Sequence, residues 1–424
     1  MTVIDDFRKE LLPVLNGVST SHLPDNQDRS FKTIMDQVGF LSFPNEIATP
    51  YRKALKTLRL MSNRSDKLIS DKALENKFDN FLLELKYREN QEIVKREIDR
   101  HIVDFIESLK MLKSDKYLFL IPIMNLTIEE DIRISDSSIV TMSEQLFTSL
   151  ETAYSIKFSL NQENHIEQIK QLSETNETQT YAIITVEAPD SEKALELAIQ
   201  KAEAYLNILR LYSNRSNFIL RNEFKKTIGQ RLIKANLDKK TYTEHNSSIN
   251  LIGNHFPTIF DKAGIKKFNS DILPVLDPLL SKAEDELTSL QGDLLTAILW
   301  FGSAVKENDK NMKFVKGIMA LEALLVPDGG RGKLEIIAKR FASIVFSTAT
   351  NTEKKEAFEE MRNMYRLRSS IIHSGEGYIY EEDLEKMIMW VQSAIQIILV
   401  KSDMFANIQE IINKEFPIDE KIYN

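Results

Sequence analysis

The residues best suited to chemistry stand close together near the end of the chain, in Tyr365-Arg-Leu-Arg-Ser-Ser-Ile-Ile-His-Ser-Gly-Glu376. A histidine titrates near neutral pH and can take or give a proton. An arginine presents a planar fork of donors that suits phosphate oxygens where negative charge builds. His373 has two candidate partners, Arg368 and Arg366. On a helix turning about 100° per residue, Arg368 and His373 lie roughly 140° apart, whereas Arg366 and His373 lie within roughly 20° of one another. Arg366 is therefore the nearer partner on an isolated helix. Arg368 joins His373 only if the helix end at Gly375 or another domain brings the two together.

Other chemistries find little material. The chain has no cysteine, which removes disulfides, thiolate nucleophiles and zinc–thiolate sites. The histidines (His22, His101, His165, His245, His255 and His373) are scattered, and no pair has the close helical spacing of a zinc site. No metal and no cofactor is expected. Glu322 sits in the otherwise apolar Ala320-Leu-Glu-Ala-Leu-Leu325. A carboxylate there is costly to bury unpaired, so it should hold Arg340 or Arg368, and in the second case it would orient Arg368.

The elements that carry these residues read as helices at about 293–307, 310–326, 332–347, 353–372 and 381–401, with a short one near 403–414. Pro327-Asp-Gly-Gly-Arg-Gly breaks the second from the third, and Gly375-Glu-Gly ends the fourth. Antiparallel helices with short loops predict an all-α up-and-down helical bundle over 291–424, with a boundary near Ser289-Leu-Gln-Gly-Asp.

Upstream the period changes. Residues 1–116 read as a helix-rich segment, with Leu55, Leu58 and Met61 at helical spacing and Ile93, Ile98, Ile102 and Phe105 as a buried stripe. Residues 117–290 read as an α+β domain. Its strands are expected at Tyr117-Leu-Phe-Leu-Ile-Pro-Ile, Asp131-Ile-Arg-Ile-Ser, Ser138-Ile-Val-Thr-Met, Ala153–Leu160 and Thr180-Tyr-Ala-Ile-Ile-Thr-Val. A helix should open at Ala188-Pro-Asp-Ser-Glu-Lys, capped by Asp190 or Ser191, and run to about Leu211. The fold class is thus an α+β N-terminal region followed by an all-α bundle.

Leu58-Arg-Leu-Met-Ser-Asn-Arg-Ser65 recurs as Leu209-Arg-Leu-Tyr-Ser-Asn-Arg-Ser216. The flanks do not match, so the pair reads either as two similar helix caps or as two phosphate-binding helix ends. Arg221–Lys240 is the most basic stretch. It is either a solvated helix face or a backbone-contacting surface for RNA, with Arg221, Lys225, Lys226, Arg231 and Lys234 as the candidate contacts.

Length and charge bound the rest. A chain of 424 residues, 42% hydrophobic and 28% charged, fits two or three globular domains. The net charge of −8 gives no global attraction to nucleic acid, so any such contact needs a local basic patch. The acidic, mixed start does not read as a signal peptide, and Leu294–Val305 is too short to span a bilayer. A cytoplasmic protein with no membrane contact is expected.

The final domain resembles the HEPN superfamily (higher eukaryotes and prokaryotes nucleotide-binding), and within it the ApeA-like branch. The likeness rests on Arg-x4-His at Arg368 and His373, on Tyr365 before it, and on the small residue and Gly after it. It extends to Leu299-Trp-Phe-Gly-Ser-Ala, to Phe314–Leu325 and to Ala338-Lys-Arg-Phe-Ala. Phe119-Leu-Ile-Pro-Ile and Val186-Glu-Ala-Pro-Asp-Ser-Glu-Lys-Ala look like the region found ahead of ApeA-like domains.

The resemblance implies a metal-independent endoribonuclease working as a homodimer or higher homo-oligomer through the HEPN domain. An Arg and a His from each copy meet at the interface, and the ribose 2′-hydroxyl attacks the adjacent phosphate to leave a 2′,3′-cyclic phosphate. Arg368 and His373 would be catalytic, with Glu322, Ser369, Tyr365, Arg366 and Arg340 in support. Tyr365 would pack or touch RNA, and Ser369 stands where many such enzymes carry Asn, Asp or His. The resemblance also implies antiviral defence, such as abortive infection, with a phage-derived activator or an inhibitory partner. The alternative is a non-catalytic HEPN module for dimerisation or nucleotide binding.

Overall fold

The computed structural model describes residues 3–18, 30–36, 39–62, 69–89, 94–124, 126–141, 143–155, 180–213, 219–220, 231–246, 258–282, 284–327, 332–374 and 377–423. Among these the chain is mostly helical, with a small antiparallel sheet in its N-terminal half and a helical C-terminal region. It divides into two compact units. One holds Met1–Leu118, Thr185–Ala198 and Lys234–Tyr242, and the other holds Phe119–Ile184, Ile199–Ile233 and Thr243–Asn424.

The first unit begins with α1 (Val3–Gly17), an antiparallel hairpin of β1 (Ser30–Asp36) and β2 (Gly39–Pro44), and α2 (Ala48–Ser62). Helices α3 (Asp71–Glu89) and α4 (Val94–Lys110) follow. The expected helical stripes are present: Leu58, Ile98 and Ile102 are buried, with Leu55 and Phe105 packed against the same core. Ile93 and the side chain of Met61 lie outside the described residues. The hairpin is an addition to the helix-rich reading. Its signal is the two-residue spacing of Leu41 and Phe43, both buried, which is the period of a strand with one face inward. Tyr51 locks α2 to α3 by donating to Asp79 Oδ1 at 2.6 Å, with its ring edge-on to Phe43.

The strands then follow the change of period. They are β3 (Asp115–Met124), β4 (Leu126–Ile128), β5 (Ile132–Ile134), β6 (Ser137–Thr141) and, after α5 (Glu144–Tyr154), β7 (Thr180–Ala188). Next come α6 (Ser191–Arg210), β8 (Ile219–Leu220), β9 (Arg231–Asn236), β10 (Thr241–Asn246) and β11 (Thr258–Phe260). The main sheet takes the order β10-β9-β3-β7-β6-β5, with β8 beside β3, while β11 pairs in parallel with β4. Every residue from Tyr117 to Ile123 is buried, which is why β3 reads as an unbroken apolar run rather than an alternation.

Two expectations need correction. Ala153 and Tyr154 do not open a strand. They close α5, whose start is capped by the Ser143 hydroxyl accepting from Leu146 N–H and whose end is Ser155 at φ 52°. Residues 156–160 lie outside the described residues. Within the basic stretch, Arg231–Asn236 is the strand β9 and not a helix face, and residues 221–230 lie outside the described residues.

Asp190 caps α6 as its position predicts, accepting from Lys193 N–H at 2.9 Å and Glu192 N–H at 3.1 Å. Its other oxygen accepts from Ser70 N–H at 3.0 Å.

In the second unit, α7 (Lys262–Lys267) runs through one π-turn into α8 (Leu273–Ser281). The helical region proper is α9 (Ser289–Lys306), α10 (Lys310–Leu325), α11 (Lys333–Val345), α12 (Asn351–Ser374), α13 (Glu381–Leu399), α14 (Ile408–Lys414) and α15 (Glu420–Tyr423). The first of these begins a turn earlier than its apolar pattern. Thr288 and Gln291 form a reciprocal capping box there, so Ser289-Leu-Gln-Gly belongs to the helix. Gly292 in the first turn costs the helix too little to end it.

In this region α9 packs along α10, and α13 packs against α9, α10 and α11. Gly317 of α10 meets Met387 of α13 so closely that a Cβ would stand 2.1 Å from the Met387 sulfur. Both tryptophans of the chain stand on helices of this region, Trp300 on α9 and Trp390 on α13. Trp390 packs on Phe341 at 4.7 Å between ring centres and edge-on to Phe346 at 6.0 Å. None of the described helices is long and apolar enough to cross a membrane.

Candidate active site

Helix α12 carries both halves of the Arg-x4-His motif, in different surroundings. Its buried stripe is Ala357, Phe358, Met361 and Met364. One turn later that stripe continues as Tyr365 and Arg368, which lean on α10. Beyond them the helix outruns the core: Ile372 is 46% exposed, and His373 and Ser374 are exposed.

Glu322 of α10 is the centre of the cluster. Its Oε1 accepts from the Tyr365 hydroxyl at 2.5 Å and its Oε2 from Arg368 Nη2 at 3.3 Å. The Arg368 guanidinium carbon lies 5.7 Å from the centre of the Tyr365 ring, within cation–π range. Glu322 and Arg368 are similarly enclosed, with side chains 18% and 19% exposed. Of the two arginines open to Glu322 in the sequence, Arg368 is the one that pairs with it. The spacing explains this, since Tyr365 and Arg368 are three apart and share a face of α12. Burial, and then the hydrogen bond and charge of Glu322, push the Tyr365 hydroxyl up to about 12.

Arg368 is incompletely satisfied. Its Nε is buried and has no hydrogen-bond partner among the described residues. A guanidinium has five N–H donors, and a buried one left unmet is costly.

The remaining candidates spread out. Arg366 is exposed and donates to Asn363 Oδ1 at 3.0 Å on its own helix. Arg340 donates to the Leu325 carbonyl at the end of α10 and, at 2.5 Å, to Gln409 Oε1. Ser369 is half-buried on α12. His373 makes no side-chain hydrogen bond to another described residue, so its imidazole is presented outward.

Of the proposed RNA contacts, Arg221, Lys225 and Lys226 lie outside the described residues, as does the side chain of Arg231. Lys234 is half-buried on β9. Burial pulls its pKa down, and the carboxylates of Glu192 and Asp190 pull the other way.

The repeated segment places its two described arginines in structural roles. Arg59 donates to the Ile69 carbonyl and pairs with Asp71 at 2.8 Å. Arg210 is fully buried at the end of α6, where it donates to Asn207 and, at 3.3 Å, to Glu203. Lys306 of α9 reaches the same Glu203 oxygen at 2.6 Å. The Leu211 carbonyl just beyond accepts from both Gln392, at 2.5 Å, and Gln396, at 2.6 Å, of α13. The repeat singles out Arg210, but as a cap or a phosphate-binding helix end and not as a buried residue. The one signal of its burial was an arginine where the apolar face of α6 runs out.

No family model, no curated protein and no solved structure matches the chain.

Proposed function

We propose that this chain is a metal-independent endoribonuclease of HEPN type, its C-terminal helices forming an up-and-down bundle that pairs with a second copy. Arg368 and His373 of the two copies make the active site. In this reading the substrate supplies its own nucleophile. The 2′-oxygen bonds to phosphorus, the bond to the 5′-oxygen breaks, and a 2′,3′-cyclic phosphate is left. His373 moves the proton between these oxygens, and Arg368 meets the charge that grows on the phosphate. The setting proposed is antiviral defence in the cytoplasm, by abortive infection, under a phage-derived activator or an inhibitory partner.

The observation that carries this reading is the state of Arg368. It is steadied by Glu322 and Tyr365, yet its partly exposed guanidinium makes a single hydrogen bond among the described residues. His373 stands outward on the same helix, where a second copy can bring a complementary group to it.

Purified chain incubated with RNA in EDTA tests the proposal. Cleavage leaving cyclic-phosphate ends, lost in His373→Ala and in Arg368→Ala, is the expected result. RNA left intact by the wild type, with or without candidate activators, counts against it.

The Glu322–Arg368 ion pair also favours a second reading, a non-catalytic HEPN module for dimerisation or nucleotide binding. In that case the pair is simply structural, and Arg368→Ala alters assembly or nucleotide binding without any RNA being cut.

A further inference from the structure

A carboxylate facing an arginine normally has both oxygens free to chelate the guanidinium in a two-bond fork. Glu322 does not. One oxygen is taken by Tyr365, and only the other reaches Arg368, through a single Nη2 contact at 3.3 Å. Tyr365 is placed for this by its position three residues before Arg368, so that hydroxyl and guanidinium meet the same carboxylate. Its ring under the guanidinium further limits where Arg368 can swing. We infer that Tyr365 is a positioning residue that holds Glu322 to one contact with Arg368 and so keeps the remaining guanidinium donors available to a phosphodiester. The inference rests on the reading of Arg368 as the phosphate-contacting group.

The physical contrast is between two states of one carboxylate. With the hydroxyl present, Glu322 neutralises part of the charge of Arg368 but uses one of its five donors. Without it, Glu322 turns both oxygens onto the guanidinium and competes directly with phosphate. Tyr365 remains a donor throughout the neutral range, because its pKa is raised to about 12, by burial first and then by Glu322.

The test uses the full chain and a fluorescein-labelled 2′-O-methyl RNA, which binds without being cut, read by anisotropy beside cleavage of ordinary RNA. Arg368→Ala sets the contribution of the guanidinium. Tyr365→Phe, which removes only the hydroxyl, is expected to weaken binding by about tenfold, the scale of one hydrogen bond to a charged group. Tyr365→Phe combined with Glu322→Gln is expected to regain most of that loss, because the competing charge is gone.

Wild-type affinity in Tyr365→Phe overturns the inference. So does a double variant as weak as the single one, which makes Tyr365 a packing residue. Unchanged affinity in Arg368→Ala overturns it too. Should Tyr365→Phe fail to fold by thermal melt, Glu322→Gln alone carries the test: affinity at least equal to wild type supports the inference and a tenfold loss overturns it. If the binding pattern holds and no RNA is cut, the nuclease reading fails while the positioning role stands.

Discussion

Gly302 of α9 lies against Asn207 of α6 so closely that a Cβ built on it would stand 1.9 Å from Asn207 Oδ1 and 2.8 Å from Asn207 Cβ. Asn207 is itself buried and accepts from the buried Arg210. Gly302→Ala therefore sets a helix-propensity gain of about 1 kcal/mol against overpacking of about 1–3 kcal/mol and a disturbed acceptor for a buried cation. The clash should win. A net loss of about 1–2 kcal/mol in urea unfolding is expected. Unchanged or raised stability would contradict so close an approach of the two helices.

The Leu211 carbonyl offers a double-variant prediction. Gln392→Ala or Gln396→Ala alone leaves one donor in place and should cost about 0.5–1.5 kcal/mol. Removing both leaves the carbonyl unmet, and the loss should exceed the sum of the two single losses. Chemical denaturation of the four proteins decides it, and strict additivity would show that the two glutamines do not share one acceptor.

The cap of α6 predicts a pH dependence. Burial alone would raise the Asp190 pKa, but hydrogen bonds from Ser70, Lys193 and Glu192 hold it below the ordinary carboxylate value. A carboxylate lowered in the folded state stabilises above its unfolded pKa of about 3.9, and that contribution fades as pH falls through the lower folded value. Asp190→Ala should thus destabilise by about 1 kcal/mol at pH 7, and the gap to wild type should narrow in acid. Urea melts at pH 7 and pH 3 measure it. A gap that widens toward pH 3 would reverse the sign of the argument.

Exposure separates the two motif residues. His373 is exposed with no described side-chain bond, so His373→Ala should leave the melting curve within about 0.5 kcal/mol of wild type while removing at least ~100-fold of any RNA cleavage. Arg368→Ala should cost cleavage and also about 1–3 kcal/mol of stability, since it leaves the enclosed Glu322 carboxylate without its cation. Arg366→Ala, at an exposed site bonded to Asn363, should leave both nearly unchanged. A cleavage loss in Arg366→Ala matching that of Arg368→Ala would make Arg366 the partner of His373.

Much of this architecture was legible because it is periodic. The stripe through Ile98 and Ile102, the unbroken run of β3 and the helices from Lys310 to Leu399 each carry the period of their burial. Element ends were legible where a side chain acts on its own backbone, as Asp190 does at α6. They were missed where the cap needed two residues read together, as with Thr288 and Gln291. The strand at Arg231–Asn236 was not legible because charge masked the alternation of Ile233 and Ala235, both buried. In the candidate site, the partner of Glu322 was narrowed to two arginines, but choosing between them required the packing of α10 against α12. The part played by Tyr365 was beyond reach of spacing alone, because it depends on which oxygen of a distant carboxylate its hydroxyl meets.

The placement of Trp300 and Trp390 gives the chain a built-in optical label. Both indoles sit on α9 and α13, and Trp390 is wedged among Phe341 and Phe346. Tryptophan emission therefore reports the C-terminal helices alone, while far-ultraviolet circular dichroism sums every helix and strand. Heating the same sample under both detectors reads out whether the helices bearing Arg368 and His373 melt together with the rest of the chain or on a schedule of their own.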